Sequence, residues 1–239
     1  MNENRFAALR ALLDCLMSES RSIELTQSLG SVSGPLPAIL ENILRHEGPP
    51  SIPENARLLL SMIPELYQMC ASEQMGPHPQ LNTLQKAGEY AHLQFVNLQY
   101  ECICLMCLDK DFCLSECRVS GTGGLRDVRF YPRRLFQEAV SHGAHAVILC
   151  HNHPSDWAFF SEDDISATRE LLSLFSQANL PLLDHLLIAG DRVNSMRSRA
   201  FIPDAEWMRC GSGMPTLAQW RMDVRTLSQE HFINTTLNR

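Results

Sequence analysis

The chain has 239 residues, 45% hydrophobic and 20% charged, the proportions of an ordinary globular protein with one substantial core and a small appendage. A net charge of -7 repels phosphate backbones, so nucleic-acid binding needs a local basic patch, and only short ones such as Arg133-Arg134 occur. The N-terminal Met-Asn-Glu-Asn-Arg-Phe lacks the basic start and apolar run of a signal peptide, and the longest apolar runs, Cys102 to Leu108 and Ala146 to Cys150, are too short to span a bilayer. No membrane partner is expected, and a cytoplasmic location is the default.

In chain order, residues from Asn4 to about Met17 place Phe6, Leu9, Leu12, Leu13 and Leu16 at helical spacing. Leu36 to Leu44 and Pro53 to Ala71 read the same way, with Gly48-Pro49-Pro50-Ser51 breaking them apart. Residues 1–75 therefore form a small helical domain, followed by a linker from Ser72 to Gln80 rich in Gly and Pro. Leu81 to Leu93 reads as a helix. Glu101 to Leu108 is short, apolar and strand-like, Asp109-Lys110-Asp111 is its turn, and Phe112 to Ser120 is the return strand. Gly121 to Gly124 makes a loop.

A helix is expected from about Pro132 to His142, since Pro suits a first helical turn. Ala144 to Cys150 is a buried strand ending on His151. A long helix from Ser161 to about Ala178 leads to a second buried strand, Leu182 to Ala189. Strands alternating with helices define an α/β domain over residues 80–204. Residues 205–239 are a polar C-terminal extension, with Trp207 and Trp220 as anchors.

Nine cysteines occur, five of them at Cys102, Cys104, Cys107, Cys113 and Cys117. Such a cluster fits a metal site or a disulfide frame. Cys102 and Cys104, however, sit inside an apolar run, where cysteine acts as a small hydrophobe, and a reducing cytosol does not preserve disulfides. The structural reading is favoured.

The informative segment is Leu149-Cys150-His151-Asn152-His153-Pro154, continuing to Ser161-Glu162-Asp163-Asp164. Two histidines at i and i+2 leave a strand end on the same side. Asp164 lies in the first turn of the next helix, and the chain can fold back to aim its carboxylate at the same point. Two histidines and one carboxylate leave a fourth position open, the pattern of catalytic rather than structural zinc. Ser161-x-x-Asp164 is also close to a capping box, which on its own is a purely structural device. Hydrolysis further needs a base that is not a ligand. Glu101 is a candidate because a carboxylate is out of keeping with the apolar strand it opens, although spacing alone does not select it from the other acids.

The set His151-Asn152-His153-Pro154, Ser161 and Asp164 resembles the His-x-His, seven residues, Ser-x-x-Asp pattern of the JAMM (MPN-plus) metalloproteases. Its surroundings are similar to the RadC branch: Glu101 to Asp109, Gly121-Thr122, Pro132-Arg133, Ala144 to Ser155, Asp184-His185 and Ser195-Met196-Arg197. The resemblance covers about residues 90 to 200. It implies an MPN fold, a curved sheet flanked by helices and akin to the cytidine deaminase architecture. It also implies one zinc ion per chain held by His151, His153 and Asp164, Glu101 as general base, and Ser161 as the residue that hydrogen-bonds the oxyanion or the water. The implied activity is cleavage of peptide or isopeptide bonds in a protein or peptide substrate. Asp184 and His185 match the family without an assigned role; the residues themselves read as a buried pair that fixes strand packing.

Two departures stand out. The family continues His-Asn-His-Pro-Ser with Gly and a proline-containing loop, whereas this chain has Asp156-Trp157-Ala158-Phe159-Phe160, of the same length. The glycine hairpin that would hold a DNA phosphate in the helix-hairpin-helix-like N-terminal unit is not evident at Gly48-Pro49-Pro50-Ser51. The competing reading is a DNA-associated RadC-type repair or recombination factor in which the domain is a binding module; a steep dependence of DNA affinity on salt is its signature. A zinc deaminase needs His-x-Glu and Pro-Cys-x-x-Cys, and neither is present.

Overall fold

The computed structural model describes residues 7–30, 53–96, 98, 100–120, 131–154, 157–190, 192–204 and 220. The chain divides into two compact units, Met1–Ala71 and Ser72–Arg239.

The first unit contains α1 (Ala7–Asp14), α2 (Glu19–Gly30) and most of α3 (Glu54–Met75). Leu9, Leu13, Leu25, Ala56 and Leu60 form its core. Helix α2 was not anticipated from sequence. Its segment is rich in Ser, Glu and Thr, and only Leu25 among its described apolar residues is fully buried. The expected helix Leu36 to Leu44 and the Gly48 to Ser51 break lie outside the described residues.

The second unit is a five-stranded sheet between helices. Helix α4 (Leu84–Phe95) begins on Thr83, whose hydroxyl accepts from the Lys86 N–H. Strands β1 (Ile103–Leu108) and β2 (Leu114–Ser120) form a hairpin, and α5 (Pro132–Ser141) leads to β3 (Ala146–Asn152). Helix α6 (Glu162–Gln177) then connects to β4 (Leu182–Ala189) and the short β5 (Arg192–Ser195). The strand order is β2-β1-β3-β4-β5. Only β3 and β4 run parallel, joined by α6, and the remaining neighbours are antiparallel.

Alternation along the strands sorts side chains onto two faces. Cys104, Met106, Ile148, Cys150, Leu186 and Ile188 face α4. Ile103, Leu105, Val147 and Leu149 face α5 and α6. Every residue of β1, β3 and β4 is buried, which is why these strands read as continuous apolar runs rather than alternating ones. Gly88 of α4 lies against β5: a Cβ there would come within 3.2 Å of both Val193 methyls. The eight described cysteines are free, and Cys102, Cys104, Cys107 and Cys150 are buried as small apolar residues.

The Asp184-His185 pair behaves differently from expectation. The two side chains do not pair, because consecutive strand residues point to opposite faces. The Asp184 carboxylate accepts from Ser195 Oγ, the Arg197 N–H and Trp220 Nε1, at 2.5, 3.0 and 2.9 Å. It also accepts from the backbone N–H of His185 at 2.8 Å. Trp220, which follows the polar stretch after residue 204, is fully buried in the core on the α4 face. The His185 ring lies on the other face, toward α6.

Candidate metal centre

Strand β3 carries His151 next to its end, and His153 follows immediately after it. The two rings converge: His151 Nε2 and His153 Nε2 are 3.2 Å apart. Both residues are buried, at 5% and 9% exposure. Asp164 approaches from the first turn of α6, with Oδ2 at 3.5 Å from His151 Nε2. The three donor atoms all lie within 4.8 Å of one another, and no other such group occurs among the described residues.

Helix α6 starts as it does because of Ser161. Its hydroxyl accepts from the Asp164 N–H at 3.1 Å, and its own N–H donates to Asp164 Oδ2 at 2.8 Å. The full capping box is therefore present. The two sequence readings of Asp164 are compatible: the cap aims its carboxylate at His151. The Ser161 hydroxyl also donates to Asp164 Oδ2 at 2.7 Å, so its proton is held by that carboxylate. Burial alone would raise the Asp164 pKa, but contact with His151 and the two Ser161 donors together bring it below the usual carboxylate range.

The chemistry of the donor set fits a small divalent cation. His153 Nδ1 lies 2.7 Å from the Trp157 carbonyl oxygen, which can only accept, so Nδ1 carries the proton and Nε2 presents a lone pair. A tetrahedral ion with ligands at about 2.0–2.1 Å separates them by roughly 3.3 Å. Two of the three separations, 3.2 and 3.5 Å, lie close to that edge, and the third is within 4.8 Å.

Glu101 stands at the mouth of this group, two residues ahead of β1. Its Oε1 is 4.0 Å from His153 Nε2, and its side chain is 35% exposed. The carboxylate is thus partly open to solvent beside the two imidazoles. Asn152, between the two histidines, points the opposite way and holds the segment that carries Glu101. Its Oδ1 accepts from the Cys102 N–H at 2.7 Å, and its Nδ2 donates to the Tyr100 carbonyl at 3.1 Å. The sequence reading did not single out Asn152, although strand alternation alone sets it apart from its neighbours.

The loop that departs from the family pattern supplies part of the centre. Trp157 provides the carbonyl that orients His153. Phe160 packs over His151 and His185, with ring centroids 5.9 and 5.6 Å away. Trp157 and Phe159 are exposed beside it, their rings tilted at 51° with centroids 5.2 Å apart, and the Arg199 guanidinium lies 5.7 Å from the Phe159 ring. His185, fully buried, touches His151: its Nε2 is 2.8 Å from His151 Nδ1. Burial, reinforced by the neighbouring His151, pushes the His185 pKa well below the ordinary histidine value and keeps the ring neutral.

A mixed sheet with His-x-His at the end of a central strand, facing a carboxylate at a helix start, defines an α/β protein of the JAB/MPN type. The chain belongs to the RadC-like JAB domain family, whose model matches residues 81–201. It is 35% identical over 101 residues to a UPF0758 protein of Picosynechococcus sp., covering 42% of each chain. It is 32% identical over 136 residues to a UPF0758 protein of Janthinobacterium sp., covering 57% of this chain and 61% of the relative. A UPF0758 protein of Chromobacterium violaceum is 29% identical over 182 residues, covering 74% of this chain and 78% of the relative. The chain thus spans less than two thirds of the length of the first two relatives. No helix among the described residues is long and apolar enough to cross a membrane.

Proposed function

We propose that the chain is a zinc-dependent metallohydrolase that cleaves peptide or isopeptide bonds. The observation that carries this reading is the convergence of His151, His153 and Asp164, with Glu101 beside them and outside the ligand set. Membership of the RadC-like JAB domain family supports it.

His151 and His153 would hold the ion through Nε2, and Asp164 through its carboxylate. Zinc in a site with an open position supplies Lewis acidity that brings water deprotonation toward neutral pH. Glu101 takes the proton of the attacking water at a carboxylate oxygen and returns it to the leaving nitrogen, which departs as a neutral amine. Asn152 keeps Glu101 in place by tethering residues 100 and 102. Ser161 holds Asp164 in its ligand orientation, and it can serve an oxyanion only by releasing the hydrogen bond its hydroxyl now gives to Asp164. The exposed Trp157 and Phe159 form an apolar rim on which substrate side chains can rest.

The test is a screen of peptide and isopeptide substrates with and without a chelator. Cleavage that stops on chelation and returns with zinc supports the reading. Cleavage indifferent to chelation overturns it.

A further inference from the structure

The His151 ring can offer Nε2 to a cation only if its proton sits on Nδ1, and the contacts behind it decide where that proton sits. Thr168 Oγ1 lies 2.6 Å from the Asp164 carbonyl oxygen, one helical turn back. A carbonyl has no proton, so the hydroxyl donates there. A hydroxyl has one proton, so toward His185 Nδ1, also 2.6 Å away, it can only accept. His185 therefore carries its proton on Nδ1. With that proton on Nδ1, a neutral His185 ring presents its lone pair at Nε2, 2.8 Å from His151 Nδ1. His151 is then the donor in that contact, so in its neutral form the ring carries its proton on Nδ1 and leaves Nε2 bare.

We propose that Thr168 and His185 are positioning residues. They form a buried relay from the Asp164 carbonyl through Thr168 and His185 to His151, which fixes the His151 tautomer that a divalent cation requires. The inference rests on the reading that His151, His153 and Asp164 hold such an ion.

The reverse wiring is costly. It needs Thr168 to donate to His185, which leaves two bare oxygens 2.6 Å apart at the Asp164 carbonyl. Thr168 is 2% exposed and His185 fully buried, so water cannot relieve that mismatch. With the wiring as assigned and both rings neutral, the form that can take up a cation, His151 Nε2 faces the His153 lone pair at 3.2 Å and the Asp164 carboxylate at 3.5 Å. Ser161 donates to Asp164 Oδ2 from outside the group, and a cation between the three facing acceptors attracts all of them. The relay also returns to the residue that supplies the carboxylate, so strand β3, strand β4 and helix α6 are tied together behind the ligand atoms.

Two measurements on the full chain test this. In the metal-stripped, ¹⁵N-labelled protein, long-range ring correlations are expected to show His151 and His185 both protonated at Nδ1. A His151 ring protonated at Nε2 and bare at Nδ1 overturns the relay, whether or not the chain ever binds zinc. In a chelator competition, Thr168→Val, nearly isosteric but without the hydroxyl, is expected to bind zinc about 10–100-fold more weakly than the parent. Thr168→Ser keeps the relay and is expected to restore parental affinity. Equal affinity in the parent and Thr168→Val overturns the proposal when His153→Ala has lost binding. A parent that binds no better than His153→Ala overturns the metal reading instead, and the ring correlations still decide the tautomer. If Thr168→Val fails to fold, those correlations in the parent remain the deciding result.

Discussion

Glu101→Gln is expected to bind its metal as the parent chain does and to lose about 10²- to 10⁴-fold in turnover, the usual contribution of a positioned proton-transfer group. Glutamine has the shape of glutamate and keeps an oxygen acceptor, so the local packing survives. It cannot accept a proton and return it to a leaving nitrogen at neutral pH. The expectation follows from placement: Glu101 Oε1 is 4.0 Å from His153 Nε2, near the ligand atoms but outside the group that converges on the centre. Metal content and turnover are measured on the same preparation. A variant that loses its metal makes Glu101 a ligand or a determinant of the fold, and the base role assigned here is then wrong.

Asp184→Ala is expected to destabilise the second unit by about 3–5 kcal/mol, the cost of removing one partner from a buried charge network. Arg197 is fully buried and donates to the Leu183, Leu182 and Pro203 carbonyls, through Nε, Nη2 and Nη1 respectively. Its charge acts favourably on the Asp184 carboxyl. Burial pushes the Asp184 carboxyl up, while the donors from Ser195, Arg197 and Trp220 and the Arg197 charge pull part of that back. Alanine takes the carboxylate acceptor from the Ser195 hydroxyl, the Trp220 indole N–H and the Arg197 backbone N–H, and removes the negative charge near the Arg197 guanidinium. Urea unfolding reads the loss directly. A midpoint unchanged from the parent would mean that water or rearrangement replaces the carboxylate. Because Asp184 lies on the sheet face away from the histidines, Asp184→Ala chains that remain folded should keep their zinc.

Much of the second unit was legible because its central strands are buried on both faces. Val147 to Cys150 and Leu182 to Ile188 read as strands from apolar content alone, and β4 runs Leu182–Ala189 as expected. Strand β5 was not legible: Arg192–Ser195 is short, mostly polar and only partly buried, and its pairing with β4 makes it a strand. The residues that converge at the centre were legible because the histidines sit beside a strand end and Asp164 beside a helix start, both readable from local pattern. The role of His185 was not, because it depends on the register that sets His185 beside β3, and register is a long-range property. Reading Asp184 and His185 as a pair ignored the alternation that sends them to opposite faces. Thr168 left a local trace, since it follows Asp164 by four residues and shares its helix face. The exposed Trp157 and Phe159 stood out as a departure from the family pattern, but the service that their loop performs is a backbone one. The Trp157 carbonyl holds the His153 ring, and a carbonyl leaves no mark in a sequence.

The most direct measurement is the zinc content of the purified full chain beside that of His153→Ala. The parent should carry about one zinc per chain, as expected for a single three-ligand site, and His153→Ala, with one of its two imidazole ligands removed, should carry none. A His153→Ala chain that retains full zinc, or a parent chain that takes up none when zinc is supplied, contradicts the account.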